Sequence, residues 1–334
     1  MSAMDPASQA NGRLWLTWEV HRRSRSLSSA IAAELHEIVI KGGRLRRYAL
    51  SIAQTYRLLR TTSARVVFVQ SPSIVLANLA TSMKALLRRP VVIDAHNGGI
   101  DPFDGSSRLL SYFAHRALQR SDLVIVTNEA LAERVRALGA KPFVLTDPIP
   151  DLHSPGVSAE IGVTKRVVAI CAWAEDEPVA ELVKAAALLP PDYKLSITGR
   201  PKLERHGIAE IPANVELTGF VPEDRYVELI GNADVLVDLT TRENCLVCGA
   251  YEALALHKPL VVSDTAALRA LLGPAAEYCL NRADAIAKAI TTAGDQIKKL
   301  ALEAELRKGE LIVAWQERRT ALDHEIEQLI ARKY

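Results

Sequence analysis

Residues 231–264 read GNADVLVDLTTRENCLVCGAYEALALHKPLVVSD. The apolar run 235–239 ends in a polar turn, and the segment after it carries Gly249, Ala250, Glu252 and Ala253 in a helical pattern. Lys258-Pro259 breaks that helix, because proline has no N–H to donate and pushes the residue before it out of the helical region. A second apolar run, 260–262, then ends in Ser263-Asp264. Strand, helix and strand in this order make a βαβ unit. Its polar residues fall at the carboxyl end of one strand and on the first turns of the next helix, where open α/β sheets bind ligands. A helix N-terminus there offers unpaired N–H groups and a positive dipole end to an anion. A carboxylate farther along, Glu252, can accept hydrogen bonds from a vicinal diol such as a ribose.

Outward from this unit the alternation runs through the chain. Its 334 residues suit two domains of about 150 residues each. In the first half the patterning predicts strands at 14–18, 38–40, 66–69, 90–93, 122–126 and 142–145. Helices are expected from the polar turn 19–25 through 35, and at 45–59, 73–87, 106–119 and 129–138. The helix at 45–59 rests on Leu45, Tyr48, Ala49, Ile52, Tyr56 and Leu59 recurring at helical spacing. Residues 147–165 are rich in Pro, Gly and Ser and interrupt the periodicity. The pattern then restarts, with strands expected at 166–172, 194–198, 215–218, 235–239, 260–262 and 278–280 and a charged helical region at 282–331. Strands separated by helix-length segments imply parallel, doubly wound sheets. The expected division is a disordered tail at 1–12, a domain at 13–150, a linker at 151–165, a domain at 166–308 and a terminal helix at 309–334.

About half the residues (49%) are hydrophobic and 24% charged, the balance of an ordinary globular enzyme. No stretch reaches the roughly 18 apolar residues of a membrane span. The start, MSAMDPASQANGR, lacks a basic-then-apolar export pattern, so a cytoplasmic protein is expected. Four cysteines show no disulfide framework, and the single pair Cys245/Cys248 reads as small apolar packing at a helix start. Residues 1–150 hold 20 Lys/Arg against 11 Asp/Glu, a net +9, while the remainder holds 21 against 28, a net −7. Between Glu37 and Asp94 there is no carboxylate and there are ten Lys/Arg. Such a field attracts an anionic surface or substrate. Arg44, Arg46, Arg47, Arg57 and Arg60, with Tyr48 and Tyr56 interleaved, are the expected membrane-surface patch; no nucleic-acid motif accompanies them.

Asp94, His96 and Asn97 follow a strand, and Gly98-Gly99 lets backbone come close to a ligand. Glu19, His21, Arg22 and Arg23 form a polar, basic first βα turn. Arginine forks bind phosphate bidentately, so a phosphate-bearing acceptor or a diphosphate is the target this turn suggests.

The spacing around Glu252 resembles the two-domain GT-B glycosyltransferases of the group 1, family 4 type. That family carries a Glu, seven residues, then Glu-Ala, followed by Gly-x-Pro-Val-Val and an Asp. Here Glu252-Ala253, His257-Lys258-Pro259-Leu260-Val261-Val262 and Asp264 take those places. The resemblance implies an α/β fold of two Rossmann-like doubly wound parallel-sheet domains facing across a cleft. It implies transfer of a sugar, hexosyl in type, from a nucleotide-sugar co-substrate to an acceptor hydroxyl, with retention as the family habit and neither metal nor other cofactor. Cell-surface polysaccharide or glycolipid assembly on a lipid-linked acceptor, at the inner face of the membrane, is the setting it suggests. Glu252 would hold the ribose, backbone amides through Cys245 and Leu246 the diphosphate, and His96 would sit near the reacting centre with Asp94 beside it. The family's donor-sugar Glu falls eight residues before Glu252, at Asn244; Glu243 stands one residue earlier, and both remain candidates. Glu19, His21, Arg22, Arg23 and Asn97 are expected on the acceptor side, where the family has a Gly-rich loop. A second departure is 170–178, ICAWAEDEP, where Ala172 and Glu177 replace the Arg and Lys that clamp the diphosphate. Arg200, Lys202 and Arg242 are the candidate replacements. Two other readings stand beside this one: a sugar-nucleotide epimerase of the same fold, and a non-catalytic nucleotide-binding scaffold, which the missing clamp favours.

Overall fold

A computed structural model of the protein describes residues 12–152 and 164–332. The expected tail 1–12 and linker 151–165 therefore lie almost wholly outside the described residues. The chain forms two compact units, one of Met1–Pro148 with Ala314–Tyr334 and one of Ile149–Val313.

The first unit runs β1 (Arg13–Thr17), α1 (Arg22–Ala30), β2 (Glu34–Glu37), α2 (Arg44–Thr61), β3 (Val66–Ser71), α3 (Ile74–Leu87), β4 (Val91–Ala95), α4 (Asn97–Ile100), α5 (Arg108–Arg120), β5 (Leu123–Val126), α6 (Glu129–Ala137) and β6 (Pro142–Val144). The strands pair in parallel in the order β2-β1-β3-β4-β5-β6. VVFVQS, VVIDA and LVIV are near-continuous runs of β-branched residues, as a parallel sheet covered on both faces requires. Their alternation sends Val67 and Val69 to one layer, with Leu76, Ala80 and Leu118. Val66 and Phe68 go to the other, with Leu27, Ile31, Leu322 and Ile326.

The second unit runs β7 (Lys165–Ala169), α7 (Val179–Ala186), β8 (Tyr193–Thr198), β9 (Val215–Gly219), α8 (Glu223–Gly231), β10 (Val235–Asp238), α9 (Cys248–Leu256), β11 (Leu260–Ser263), α10 (Ala266–Leu272), β12 (Glu277–Cys279), α11 (Ala283–Asp295) and α12 (Ile297–Ala331). The parallel order is β12-β11-β10-β7-β8-β9. Val167, Val235 and Val237 pack under α7 and α11, and Val168, Leu236 and Val262 under α9 and α10. The direction of strand addition reverses between β1 and β3 in the first sheet and between β7 and β10 in the second. These are the switch points at which doubly wound sheets leave a crevice outside the strand ends. Helix α12 belongs to the second unit as far as Val313 and to the first from Ala314. Trp315 packs there and donates its ring N–H to Thr146 O at 3.1 Å.

Two sequence expectations are corrected. Helix α1 stops at Ala30, Ala32 takes a left-handed conformation (φ 51°), and the second strand is Glu34–Glu37 rather than 38–40. ELHE carries no hydrophobic run because β2 is an edge strand paired only with β1. Of the predicted stripe, helix α2 buries Leu59 alone, beside Ser51 and Thr55, and leaves Leu45 88% exposed with Ile52 and Tyr56 also in solvent.

Candidate functional site

In the second unit the switch point is flanked by the loop after β7 and the turn after β10. β10 ends in Asp238, a buried carboxylate whose Oδ2 accepts the Gly249 N–H at 2.8 Å. A Cβ on Gly249 would stand 2.5 Å from that oxygen, so only glycine admits this approach. Burial pushes the Asp238 carboxyl well above the usual range. The Gly249 N–H opposes the rise, and the charges of Glu177, Glu252 and Asp176 add to it. A closed set of hydrogen bonds ties the neighbouring strand ends: Thr240 N–H to Ser263 Oγ (2.9 Å), Ser263 hydroxyl to Asn281 Oδ1 (2.7 Å), and Asn281 amide to Thr240 O (2.8 Å).

The turn then exposes Arg242, Glu243 and Asn244, half-buries Cys245 and Leu246, and enters α9. Arg242 Nη1 lies 3.5 Å from Asp176 Oδ2. Five residues into α9, Glu252 is buried, and its Oε2 accepts the Tyr226 hydroxyl at 2.5 Å from α8. Burial and then the adjacent Glu252 charge keep the Tyr226 phenol far above its ordinary pKa, so it stays a donor.

The loop after β7 turns at Trp173, which is left-handed (φ 59°), buried, and donates Nε1–H to Thr198 O at 2.9 Å. The Glu177 carboxylate folds back to accept the N–H groups of Ala172 (3.0 Å) and Ala174 (3.1 Å). In place of a cation, the loop thus supplies an anion that already occupies its own amides. Of the candidate replacements, Lys202 donates to Trp173 O at 3.0 Å and so borders this loop, whereas Arg200 lies over the Phe220 ring at 5.7 Å.

In the first unit, Thr17 at the end of β1 donates to Gln70 Oε1 at the end of β3 (2.5 Å), and the Gln70 amide donates to Glu19 Oε1 (3.1 Å). Glu19 is thereby held at the switch point. Arg23 and Asp94 are both buried. Arg23 Nε donates to both Asp94 oxygens (3.0 and 3.2 Å), Nη1 to Asp147 Oδ1 (2.8 Å) and Nη2 to Leu145 O (2.9 Å). Burial works against the Arg23 charge, but the two carboxylates outweigh it and raise its pKa. Arg23 and Asp94 therefore form a pillar beneath the turn, facing each other and not solvent, while Arg22 is exposed.

His96 precedes α4 with Nε2 3.8 Å from Asp94 Oδ2, and its ring meets that of His21 edge-on at 4.9 Å. His96 Nε2 and His21 Nδ1 are buried atoms without a hydrogen-bond partner. Burial lowers the His96 pKa. Asp94 opposes the shift and Arg23 and His21 reinforce it, so the ring is neutral near pH 7. Asn97 begins α4. The Gly99 backbone closes on the Ser71 side chain, so its lack of a Cβ serves internal packing. Glu19, His21, Arg23, Asp94 and His96 are thus brought together in the first unit, and Arg242, Lys202 and Glu252 line the strand ends of the second.

Residues 8–146 match the family described as "Glycosyl transferase 4-like domain", and residues 164–295 match "Glycosyl transferases group 1". The chain belongs to the group 1 glycosyltransferases. Solved structures similar to this glycosyltransferase include Anabaena Alr3699/HepE in complex with UDP and glucose, at 15% identity and a TM-score of 0.70 over 96% of this chain and 99% of that one. The same Anabaena protein in complex with UDP-glucose is similar at 14% identity and a TM-score of 0.69, over 96% and 99%. Sucrose-phosphate synthase from Thermosynechococcus elongatus follows at 14% identity and a TM-score of 0.70, over 90% and 84%. These likenesses establish the GT-B fold. No curated protein matches the glycosyltransferase in sequence.

The functional candidates that sequence reasoning overlooked are Asp238, Tyr226 and Gln70. Asp238 had a signal: VLVD repeats the apolar-run-then-Asp ending of VVID, which had singled out Asp94. Tyr226 and Gln70 had none, since each acquires its partner from another element.

Proposed function

We propose that this protein transfers a sugar from a nucleotide-sugar donor to an acceptor hydroxyl, with the donor held by the second unit and the acceptor by the first. The observation that carries the reading is the β10–turn–α9 arrangement. A buried carboxylate, Glu252, is oriented by Tyr226 behind a helix N-terminus at the sheet's switch point. A carboxylate so held can accept both hydroxyls of a ribose, and the N–H groups that lead into α9, apart from that of Gly249 which Asp238 holds, suit a diphosphate. The Anabaena structures with UDP and with UDP-glucose support a uridine diphosphate sugar as the donor class.

In this reading Asn244 or Glu243 contacts the donor sugar, and the backbone through Cys245 and Leu246 meets the diphosphate. The bond from the anomeric carbon to the leaving phosphate oxygen breaks, and the acceptor oxygen takes its place and gives up its proton. The task for the protein is to orient both substrates and stabilise charge on the departing diphosphate. With Glu177 in the family's Lys position, that charge falls to Arg242, Lys202, Arg200 and the α9 amides. His96, neutral and with Nε2 unpartnered, is the acceptor-side group suited to touch the reacting sugar. Asp94 and Arg23 act by fixing His96 and the turn 19–22, through which Glu19, His21 and Arg22, with Asn97, meet the acceptor. Retention without a metal is the reaction course we expect. Among the described residues no group of three or more His, Cys, Asp or Glu is disposed to hold a metal ion.

The acceptor we propose is lipid-linked, in cell-surface polysaccharide or glycolipid assembly at the cytoplasmic face of a membrane. Support comes from Arg44, Arg46, Arg47, Arg57 and Arg60 on α2, whose outward stripe includes Leu45, Ile52 and Tyr56. No helix among the described residues is long and apolar enough to cross a membrane. One observation favours a non-catalytic nucleotide-binding scaffold instead: the anion Glu177 on the amides of Ala172 and Ala174.

A thermal-shift screen with UDP, GDP, ADP, CMP, dTDP and their common sugars tests the proposal. A ligand bound only by the native state raises the melting point. One nucleotide is expected to do so in the parent and not in Glu252→Ala. No shift with any nucleotide would overturn the donor site, and binding without transfer to any acceptor would favour the scaffold.

A further inference from the structure

We infer a second anion site in the first unit: a pocket of four arginines that binds a phosphoryl group, away from the proposed sugar-transfer residues. A surface cavity of about 380 Å³ is lined by Arg65, Arg88, Arg89 and Arg332, with Ser63 and Ile330 among the remaining walls. Three separate stretches of chain build it. Arg65 immediately precedes β3. Arg88 caps α3 in a left-handed conformation (φ 50°) and so turns Arg89 and Pro90 toward the start of β4. β3 and β4 are adjacent, with Val67 N–H donating to Pro90 O at 3.0 Å, which sets Arg65 beside Arg89. Arg332 arrives from the far end of the sequence, just beyond α12.

Two observations point to a ligand. Arg89 Nη1 is a buried donor with no hydrogen-bond partner, an arrangement costly to leave unmet. The four arginines, of which Arg65, Arg88 and Arg332 are exposed, also line one cavity without a carboxylate among the described residues paired to any of them. Arg13, Arg25, Arg134 and Arg269, by contrast, each face a carboxylate (Asp323, Glu37, Asp101 and Asp264). No Asp or Glu occurs between Glu37 and Asp94, and the carboxylates of the adjoining segments are engaged elsewhere, Asp122 with Lys84 and the Val91 N–H and Glu327 with Arg13. Like charges gathered in a concave site raise the local potential and concentrate anions. Planar guanidinium forks match phosphate oxygens in pairs, and the cavity volume is that of a small-molecule site.

The pocket lies at the amino ends of β3 and β4. Gln70 and Asp94 lie at the opposite, carboxyl ends. Gln70 stands five residue steps beyond Arg65, about 17 Å at about 3.3 Å per residue. The ligand chemistry is a phosphate or diphosphate group, and its source is either a soluble phosphorylated compound or the headgroup of an anionic phospholipid.

The test uses the full chain, its Arg65→Gln/Arg89→Gln double variant and its Glu252→Ala variant. Calorimetry with inorganic pyrophosphate is one arm. Co-sedimentation with phosphatidylglycerol vesicles, against phosphatidylcholine vesicles, is the other. The double variant relieves repulsion and should melt no lower than the parent; an Arg65→Lys/Arg89→Lys form, which keeps the charge but loses the fork, replaces it if it does. Pyrophosphate binding weakened at least about tenfold in the double variant, with UDP, the probe of the donor site, bound by the double variant as by the parent and more weakly only by Glu252→Ala, supports the pocket with a soluble ligand. Phosphatidylglycerol-specific sedimentation lower in the double variant than in the parent, the arginines of α2 sustaining the remainder, with pyrophosphate ignored by the parent, supports it with a lipid headgroup. If the parent binds neither probe, or the double variant binds each as the parent does, the site is refuted.

Discussion

Glu252 shows how much one side chain carries and how little of its setting is local. Its spacing from the Lys-Pro break singled it out in the sequence. Its orientation depends on Tyr226, 26 residues earlier on another helix. Removing a hydrogen bond to a charged group costs about 1.5–3 kcal/mol. Glu252→Ala is therefore expected to weaken nucleotide binding by that amount in calorimetry, and an unchanged affinity would take Glu252 out of the site. His96 is a residue through which stability depends on pH. Its folded pKa lies below its unfolded value of about 6.5, so the unfolded chain takes up the proton first. Stability is full above that value and falls as pH drops from it toward the lowered folded pKa. His257, lowered chiefly by burial and by Lys308, contributes in the same direction. Urea midpoints measured from pH 7 to 5 should decline less steeply in His96→Gln than in the parent; parallel declines would show that His96 is not a source of the slope.

At the scale of elements, α2 separates helical periodicity from burial. The apolar recurrence in 45–59 located the helix well, since α2 is Arg44–Thr61. The face turned to the sheet, however, is Ser51, Thr55 and Leu59, because small and hydroxyl-bearing residues let the helix lie close and Thr55 accepts the Trp18 ring N–H at 2.9 Å. The stripe left outside, with its arginines, is what the membrane proposal rests on. A basic side chain near an anionic bilayer is worth roughly 1 kcal/mol. Neutralising Arg44, Arg46 and Arg47 together is thus expected to reduce binding to anionic liposomes on the order of a hundredfold, and equal sedimentation of variant and parent would end the idea. The end of α9 was legible for a different reason. His257 occupies the family's Gly position with φ 52°, and the left-handed cap that ordinarily calls for glycine is made there despite a Cβ.

At the scale of the molecule, α12 makes the first unit depend on the end of the chain. Leu322, Ile326 and Leu329 are fully buried among Trp15, Leu27, Phe68 and Val92. Burying a large aliphatic side chain contributes about 1.5–3 kcal/mol, so the three contribute on the order of 5–9 kcal/mol, comparable with the whole stability of a domain. Ending the chain at Val313 should leave the second unit folded and cost the first its cooperative melting. Two intact calorimetric transitions in that truncation would refute this dependence. The sequence by itself determined the class of the fold, since apolar runs such as VVFV and LVIV alternate with helix-length segments throughout, the pattern of parallel strands covered on both sides. It also determined where polar groups follow strand ends, at Asp94 and His96 and at Glu252, because that pattern is written in consecutive residues. Only the tertiary structure decided that Arg23 is locked on Asp94 and Asp147, that Glu177 occupies the amides of its own loop, and that Arg65, Arg88, Arg89 and Arg332 share one pocket. Each of these depends on which elements become neighbours, and that is settled by the strand order and by packing between residues far apart in the chain.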